Sequence, residues 1–110
     1  MTCNAGEVVV VPFPFTDGPQ TKPRPALILS SLPFNHQTGH TLMAMITSQH
    51  SICWDAFDVP FDWSAVGLHS ECKIRMKLFT IDNRLIRNSI GLLNAADWTA
   101  VQKRFQRMFA

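Results

Sequence analysis

Lys22-Pro23-Arg24-Pro25 is the segment of this 110-residue chain best suited to holding a charge still. Proline fixes its own φ and drives the residue before it toward extended backbone, so Arg24 is expected to project from a stiffened loop at the mouth of a strand. A guanidinium held in that way loses less freedom on meeting a phosphate than one on a mobile loop. The same residues read equally well as a proline-rich turn carrying a surface arginine. A second cationic feature lies in residues 72–81, where Lys73, Arg75 and Lys77 alternate with Cys72, Ile74, Met76 and Leu78. As a strand this segment has one apolar and one cationic face, with charges about 7 Å apart, close to the phosphate spacing of an extended single strand.

Other chemistries find little support. Among His36, His40, His50 and His69 the one short pair is His36-x-x-x-His40, in a glycine-containing loop with no cysteine or carboxylate at zinc-like spacing. No metal site and no cofactor is therefore expected. The glycines are isolated from one another, which excludes a phosphate-binding loop, and no G-x-S-x-G elbow is present. Cys3, Cys53 and Cys72 form no C-x-x-C pair and leave one odd, so a disulfide scaffold is not expected and reduced thiols in a cytosol are the simpler reading. Cys72, on the apolar face of its segment, reads as a small buried hydrophobe.

These residues need a frame. A hydrophobic fraction of 46% with 16% charged residues excludes intrinsic disorder, and the length fits one domain over residues 1–110. No apolar run reaches the ~18–20 residues of a membrane span, and the start shows no secretory pattern, so a cytoplasmic protein is expected. Charge is split along the chain: residues 1–71 hold two basic and six acidic side chains, residues 72–110 eight basic and two acidic. That split suits a polyanionic partner and equally a solvated basic face.

The β-branched run Val8-Val9-Val10-Val11 predicts a strand over 7–13, buried on both sides near its middle. Residues 16–25, with three prolines and a glycine, predict a loop, and 26–30 the next strand. A second loop is expected over 32–40, a strand over 41–47, and a short edge strand over 55–59 that stops at Pro60. Asp82-Asn83-Arg84 supplies turn chemistry between 72–81 and a strand over 85–92, predicting a hairpin. Asn94 can cap a helix, with Asp97 in its first turn and Trp98, Val101, Phe105 and Met108 on one stripe. The elements add up to a mainly β (α+β) chain: an antiparallel sheet curled into a small barrel, closed by a C-terminal amphipathic helix.

The residues also carry a resemblance. Gly6-Glu7-Val8-Val9-Val10-Val11-Pro12-Phe13-Pro14-Phe15-Thr16-Asp17, then Lys22-Pro23-Arg24-Pro25-Ala26-Leu27-Ile28-Leu29-Ser30, resembles the opening of the MazF/PemK toxin family. Lys77-Leu78-Phe79-Thr80-Ile81-Asp82-Asn83-Arg84-Leu85-Ile86 and Ile90-Gly91-Leu92-Leu93 resemble its second half, whereas residues 54–68 match much less well. The resemblance implies an SH3-like barrel that forms a homodimer and acts as a metal-independent endoribonuclease on single-stranded RNA. It further implies an antitoxin partner, whose acidic tail would cross the RNA groove. The family's catalytic arginine and strand-end threonine map onto Arg24 and onto Thr47 in Ile46-Thr47-Ser48.

Such residues suffice because RNA brings its own nucleophile. Its 2′-hydroxyl attacks the adjacent phosphorus and leaves a cyclic phosphate and a 5′-hydroxyl, so the protein positions the backbone, stabilises phosphoryl charge and helps move protons. Arg24 fits the charge task; Thr47 can donate a hydrogen bond, and without the resemblance reads as a strand-end hydroxyl bonded to backbone. Some relatives place an aspartate two residues after a strand arginine. Arg75 matches that arginine, but Lys77 stands where the acid would be. His50 is a further candidate base, since imidazole exchanges protons near neutrality. Arg75, Lys77, His50 and Ser48 are thus candidate acid–base or phosphate contacts, and Lys22 and Lys73 candidate RNA contacts. Phe13, Phe15 and Trp54 could stack bases, or belong to the core. The missing acid keeps a second reading open, a non-catalytic binding module on the same fold: a degenerate nuclease or a protein-targeting toxin.

Overall fold

The computed structural model describes residues 1–14 and 19–109. Six antiparallel strands form one sheet: β1 (Glu7–Phe13), β2 (Lys22–Ile28), β3 (His40–Ser48), β4 (Asp58–Pro60), β5 (Cys72–Asp82) and β6 (Asn88–Leu92), in the order β4-β5-β3-β2-β1-β6. Three helices accompany it, α1 (Leu32–Thr38), α2 (Trp63–Val66) and α3 (Ala95–Gln106). No helix among the described residues is long and apolar enough to cross a membrane.

The valine run forms β1 as its composition predicts, and successive side chains go to opposite faces. Val8 joins Leu27, Ala44, Ile46, Ile74 and Val101 on one side of the sheet, beneath α2 and α3. Val9 and Val11 join Ala26, Ile28, Met43 and Ile81 on the other. Val8 and Val9 are both fully buried, which is what four β-branched residues in a row are suited to. The C-terminal helix starts as expected: the Asn94 side chain accepts from the Asp97 N–H at 2.8 Å. Trp98, Val101 and Phe105 face the core, while Met108, just past the helix, is exposed.

Several local expectations are corrected. Lys22-Pro23-Arg24-Pro25 is not loop but the first half of β2, paired with β1 through Val10↔Pro25, Val11↔Arg24 and Pro12↔Pro23. Pro23 and Pro25 lie two apart, so both lack an N–H on the same side of the strand. The β2–β3 pairing covers only residues 26–28, so no ladder bond is lost there. Residues 32–38 form α1 rather than loop: Ser31 caps Phe34 N–H, Pro33 sits in the first turn, and Gly39 ends the helix at φ 72°. The predicted hairpin is absent. Residues 83–85 make a 3₁₀ turn, and β6 crosses to pair with β1 at the opposite edge, because β5 already has β3 and β4 on its two sides. Residues 55–57 are also a 3₁₀ turn, leaving β4 as a three-residue edge strand.

The sheet is open, with β4 and β6 as edges. They are bridged by α2 rather than by hydrogen bonds. Gly91 of β6 lies so close to α2 that a Cβ there would stand 2.3 Å from the Val66 carbonyl oxygen. Glycine is required at that crossing because the atom it meets is backbone.

Candidate active site

Arg24 and Thr47 come together at one end of the sheet. The β2–β3 register pairs Ala26 with Met45 and Leu27 with Ala44. Continued by two residues, it sets Arg24 opposite Thr47, on the same face. Both line a cavity of about 200 Å³, with Ser48 from β3 and His69, Glu71 and Cys72 from the approach to β5. Arg24 is exposed and Thr47 half-buried, an arrangement that leaves the guanidinium free to meet a ligand. Burial, and after it the nearby Glu71 carboxylate, pushes the Cys72 thiol up from its ordinary pKa. A larger cavity of about 280 Å³ between α3 and the sheet, lined by Leu29, Trp98 and Phe105, holds no titratable side chain.

Beside that cavity a buried acid organises the cationic strand. Asp58 of β4 pairs with Arg75 in the sheet register and takes its guanidinium in a two-point bond, Nε to Oδ1 at 2.9 Å and Nη2 to Oδ2 at 3.0 Å. Lys73 Nζ stands 3.3 Å from Asp58 Oδ2, and the Trp54 N–H donates to the same oxygen at 2.8 Å. Burial alone would raise the Asp58 pKa. Hydrogen bonds from Arg75, Trp54 and Lys73 and the Arg75 charge outweigh it and bring the carboxyl down to about 2. The Asp58 hydrogen bond in turn raises the Arg75 pKa.

The same two cations pin the loop after β3. Lys73 Nζ donates to the Ser51 carbonyl at 3.1 Å, and Arg75 Nη2 donates to the Ile52 carbonyl. The Arg75 guanidinium also lies 4.6 Å from the Trp54 ring centroid. Ser51 Oγ shares a 2.9 Å hydrogen bond with Thr47 Oγ1, so the hydroxyl at the cavity is held from this loop.

The expected continuous cationic face therefore does not exist. Lys73 and Arg75 turn to Asp58, with side chains only 11% and 12% exposed. A register shift between Ala44 and Met45 places a bulge around Met76 and Lys77, which breaks the alternation and leaves Lys77 exposed and outside the cavity. His50 is exposed, does not line the cavity, and donates its backbone N–H to Ser48 Oγ at 3.2 Å. Lys22 is exposed at the start of β2, paired with Phe13. Phe13 and Trp54 are 40% and 41% exposed, so neither is a core aromatic; Phe15 lies outside the described residues. No group of three His, Cys, Asp or Glu side chains converges as a metal-ligand set among the described residues.

Two residues escaped the sequence reading. Asp58 supplies the acid for Arg75 from a neighbouring strand, and the signal available was a lone carboxylate in the short strand Asp58-Val59-Pro60. His69 reaches the cavity from a loop, for which nothing local gives a sign.

The open sheet and its C-terminal helix, with the Arg24–Thr47 cavity at the β2–β3 end, have the architecture of the small MazF-like toxins. A MazF chain from a MazE–MazF complex of Deinococcus radiodurans superposes with a TM-score of 0.79 at 23% identity, over 98% of this chain and 96% of that one. The Mycobacterium tuberculosis toxin MazF-mt6 gives 0.74 at 23% identity, over 92% and 93%. An endoribonuclease bound to its cognate antitoxin, from a mycobacterial species, gives 0.73 at 14% identity, over 96% and 92%. That likeness is one of fold. No curated protein matches the sequence. Residues 4–109 match the model of the PemK-like, MazF-like toxins of type II toxin–antitoxin systems, and the chain belongs to that family.

Proposed function

We propose that this toxin is a metal-independent endoribonuclease that cleaves single-stranded RNA. The observation that carries the reading is the shared cavity of Arg24 and Thr47, which two adjacent strands bring to one end of the sheet. Arg24 binds the scissile phosphate and stabilises the charge that builds on its non-bridging oxygens. Thr47, oriented by Ser51, donates to a phosphoryl oxygen. The 2′-oxygen of the substrate attacks phosphorus and the bond to the 5′-oxygen breaks, giving a cyclic phosphate and a 5′-hydroxyl. Exposed Lys22, beside Arg24 on β2, guides the RNA backbone toward the groove. Ser48 provides a second hydroxyl at the phosphate, and the 41%-exposed Trp54 offers a ring for a base.

The partner is an antitoxin protein, a proposal supported by family membership and by relatives of the same fold solved with MazE or a cognate antitoxin. The toxin acts in the cytoplasm as a homodimer of one-domain chains. Incubation of purified protein with single-stranded RNA in excess EDTA tests the reading. Cleavage into fragments ending in cyclic phosphate is expected, and Arg24→Ala, an exposed position, should lower the rate at least about 100-fold with the fold intact. Loss of all cleavage in EDTA, or full activity of Arg24→Ala, rejects it.

A further inference from the structure

Arg24 keeps its proton and threonine is a poor base, so the groove needs a group that receives the 2′-hydroxyl proton. The candidates read from sequence do not fill that role: Arg75 is bound to Asp58, His50 and Lys77 do not line the cavity, and the Ser48 hydroxyl, which does, is as poor a base as that of Thr47. Within the cavity the side chains able to exchange a proton are His69, Glu71 and Cys72. The Cys72 thiol is pushed up by burial and Glu71, which keeps it protonated.

The loop bearing His69 is held on both sides. Leu68 packs on the core and donates its N–H to the Trp63 carbonyl at 3.0 Å, and the Glu71 carbonyl accepts from Gln49 N–H at 3.4 Å. The β3–β5 register pairs Thr47 with Lys73 and Ser48 with Cys72, so residues 69–71 continue past the end of the ladder, and the cavity they line is the one that Thr47 lines. Because β3 lies between β5 and β2, His69 and Arg24 approach Thr47 from opposite sides. That separation suits an in-line displacement, in which phosphoryl oxygens and attacking oxygen are served by different groups.

We propose that His69 is the catalytic base of this groove, an assignment that rests on the ribonuclease reading. Its neutral imidazole takes the 2′-hydroxyl proton as the 2′-oxygen bonds to phosphorus. The phosphorus–5′-oxygen bond breaks, the 5′-oxygen takes a proton from water, and the imidazolium returns its proton to solvent. The charged and titratable groups that line the cavity with it are Arg24 from β2, Glu71 from its own loop and Cys72 from β5; β3 contributes only the hydroxyls of Thr47 and Ser48.

The test measures kcat/KM against pH, with a single-stranded RNA pool of randomised sequence, for wild type, His69→Gln and His69→Gly. Wild type should gain rate with rising pH, as a reaction that needs an unprotonated base does. His69→Gln should lose that rise and fall about 100- to 10,000-fold in rate. Added imidazole should partly restore His69→Gly, a result that a structural role would not produce. His36→Gln on α1 should keep both rate and profile. If His69→Gln keeps the rate and the rise, the assignment is overturned while the nuclease reading survives. A wild-type chain that cuts none of the pool overturns the nuclease reading and this assignment with it.

Discussion

Replacing Asp58 with Asn tests whether one buried carboxylate holds the strand cations and the loop behind the groove. The side chain is 4% exposed and receives Arg75 at two points, Lys73 and the Trp54 N–H. Its pKa falls from 3.8 to about 2 on folding. At about 1.4 kcal/mol per unit, that shift contributes about 2 kcal/mol at neutral pH. Asn can still accept from Trp54, but it leaves two largely buried cations without an anion, and breaking a buried pair costs about 3–5 kcal/mol. A loss of about 2–4 kcal/mol is therefore expected, or a fall of about 10 °C in Tm for a domain of this size.

The sign of the pH dependence is set by the depressed folded-state pKa. The carboxylate's contribution is complete above the unfolded value, near pH 4, and disappears as pH falls through about 2. Urea unfolding of both proteins at pH 7 and pH 3 should show the stability gap shrink by about 1 kcal/mol. Hydrogen exchange should also quicken at residues 51–54, the loop that Lys73 and Arg75 anchor. A gap under about 0.5 kcal/mol, or one equal at the two pH values, would refute the clamp, since exposed ion pairs produce such small effects.

Two further perturbations separate the hydroxyl from the frame. Thr47→Val should lower RNA cleavage about 10- to 100-fold and Thr47→Ser should retain most of it, because the Oγ bonded to Ser51 is kept; cleavage assays in which Val matches wild type would remove Thr47 from the site. Gly91→Ala should lower Tm by several degrees or prevent folding, since its Cβ meets the Val66 carbonyl at 2.3 Å and backbone must move; calorimetry showing an unchanged Tm would mean that α2 does not press on β6.

What could be read from residues alone was whatever depends on a residue's near neighbours. Four consecutive valines demand a strand covered on both faces, and β1 is one. Asn94, Asp97 and the stripe Trp98, Val101 and Phe105 specify where α3 starts and which side it buries. The α1 signals were also local, Ser31, Pro33 and Gly39, but without an apolar period they passed for loop. Arg24 and Thr47 could be singled out by resemblance, and the β2–β3 register, continued two residues past its last pair, sets them face to face.

Contacts between distant segments could not be read in this way. The turn at 82–84 looks like a hairpin because turn chemistry acts over a few residues, while the partner of β6 depends on which sheet edges are already occupied. Lys73 and Arg75 look solvent-facing because alternation carries no information about Asp58, which lies 17 residues from Arg75 in sequence. His69 enters the groove only through the crossing of α2 and the return into β5. Propensity and periodicity act along the chain, whereas burial and charge pairing act across it, and the groove is assembled by the second kind.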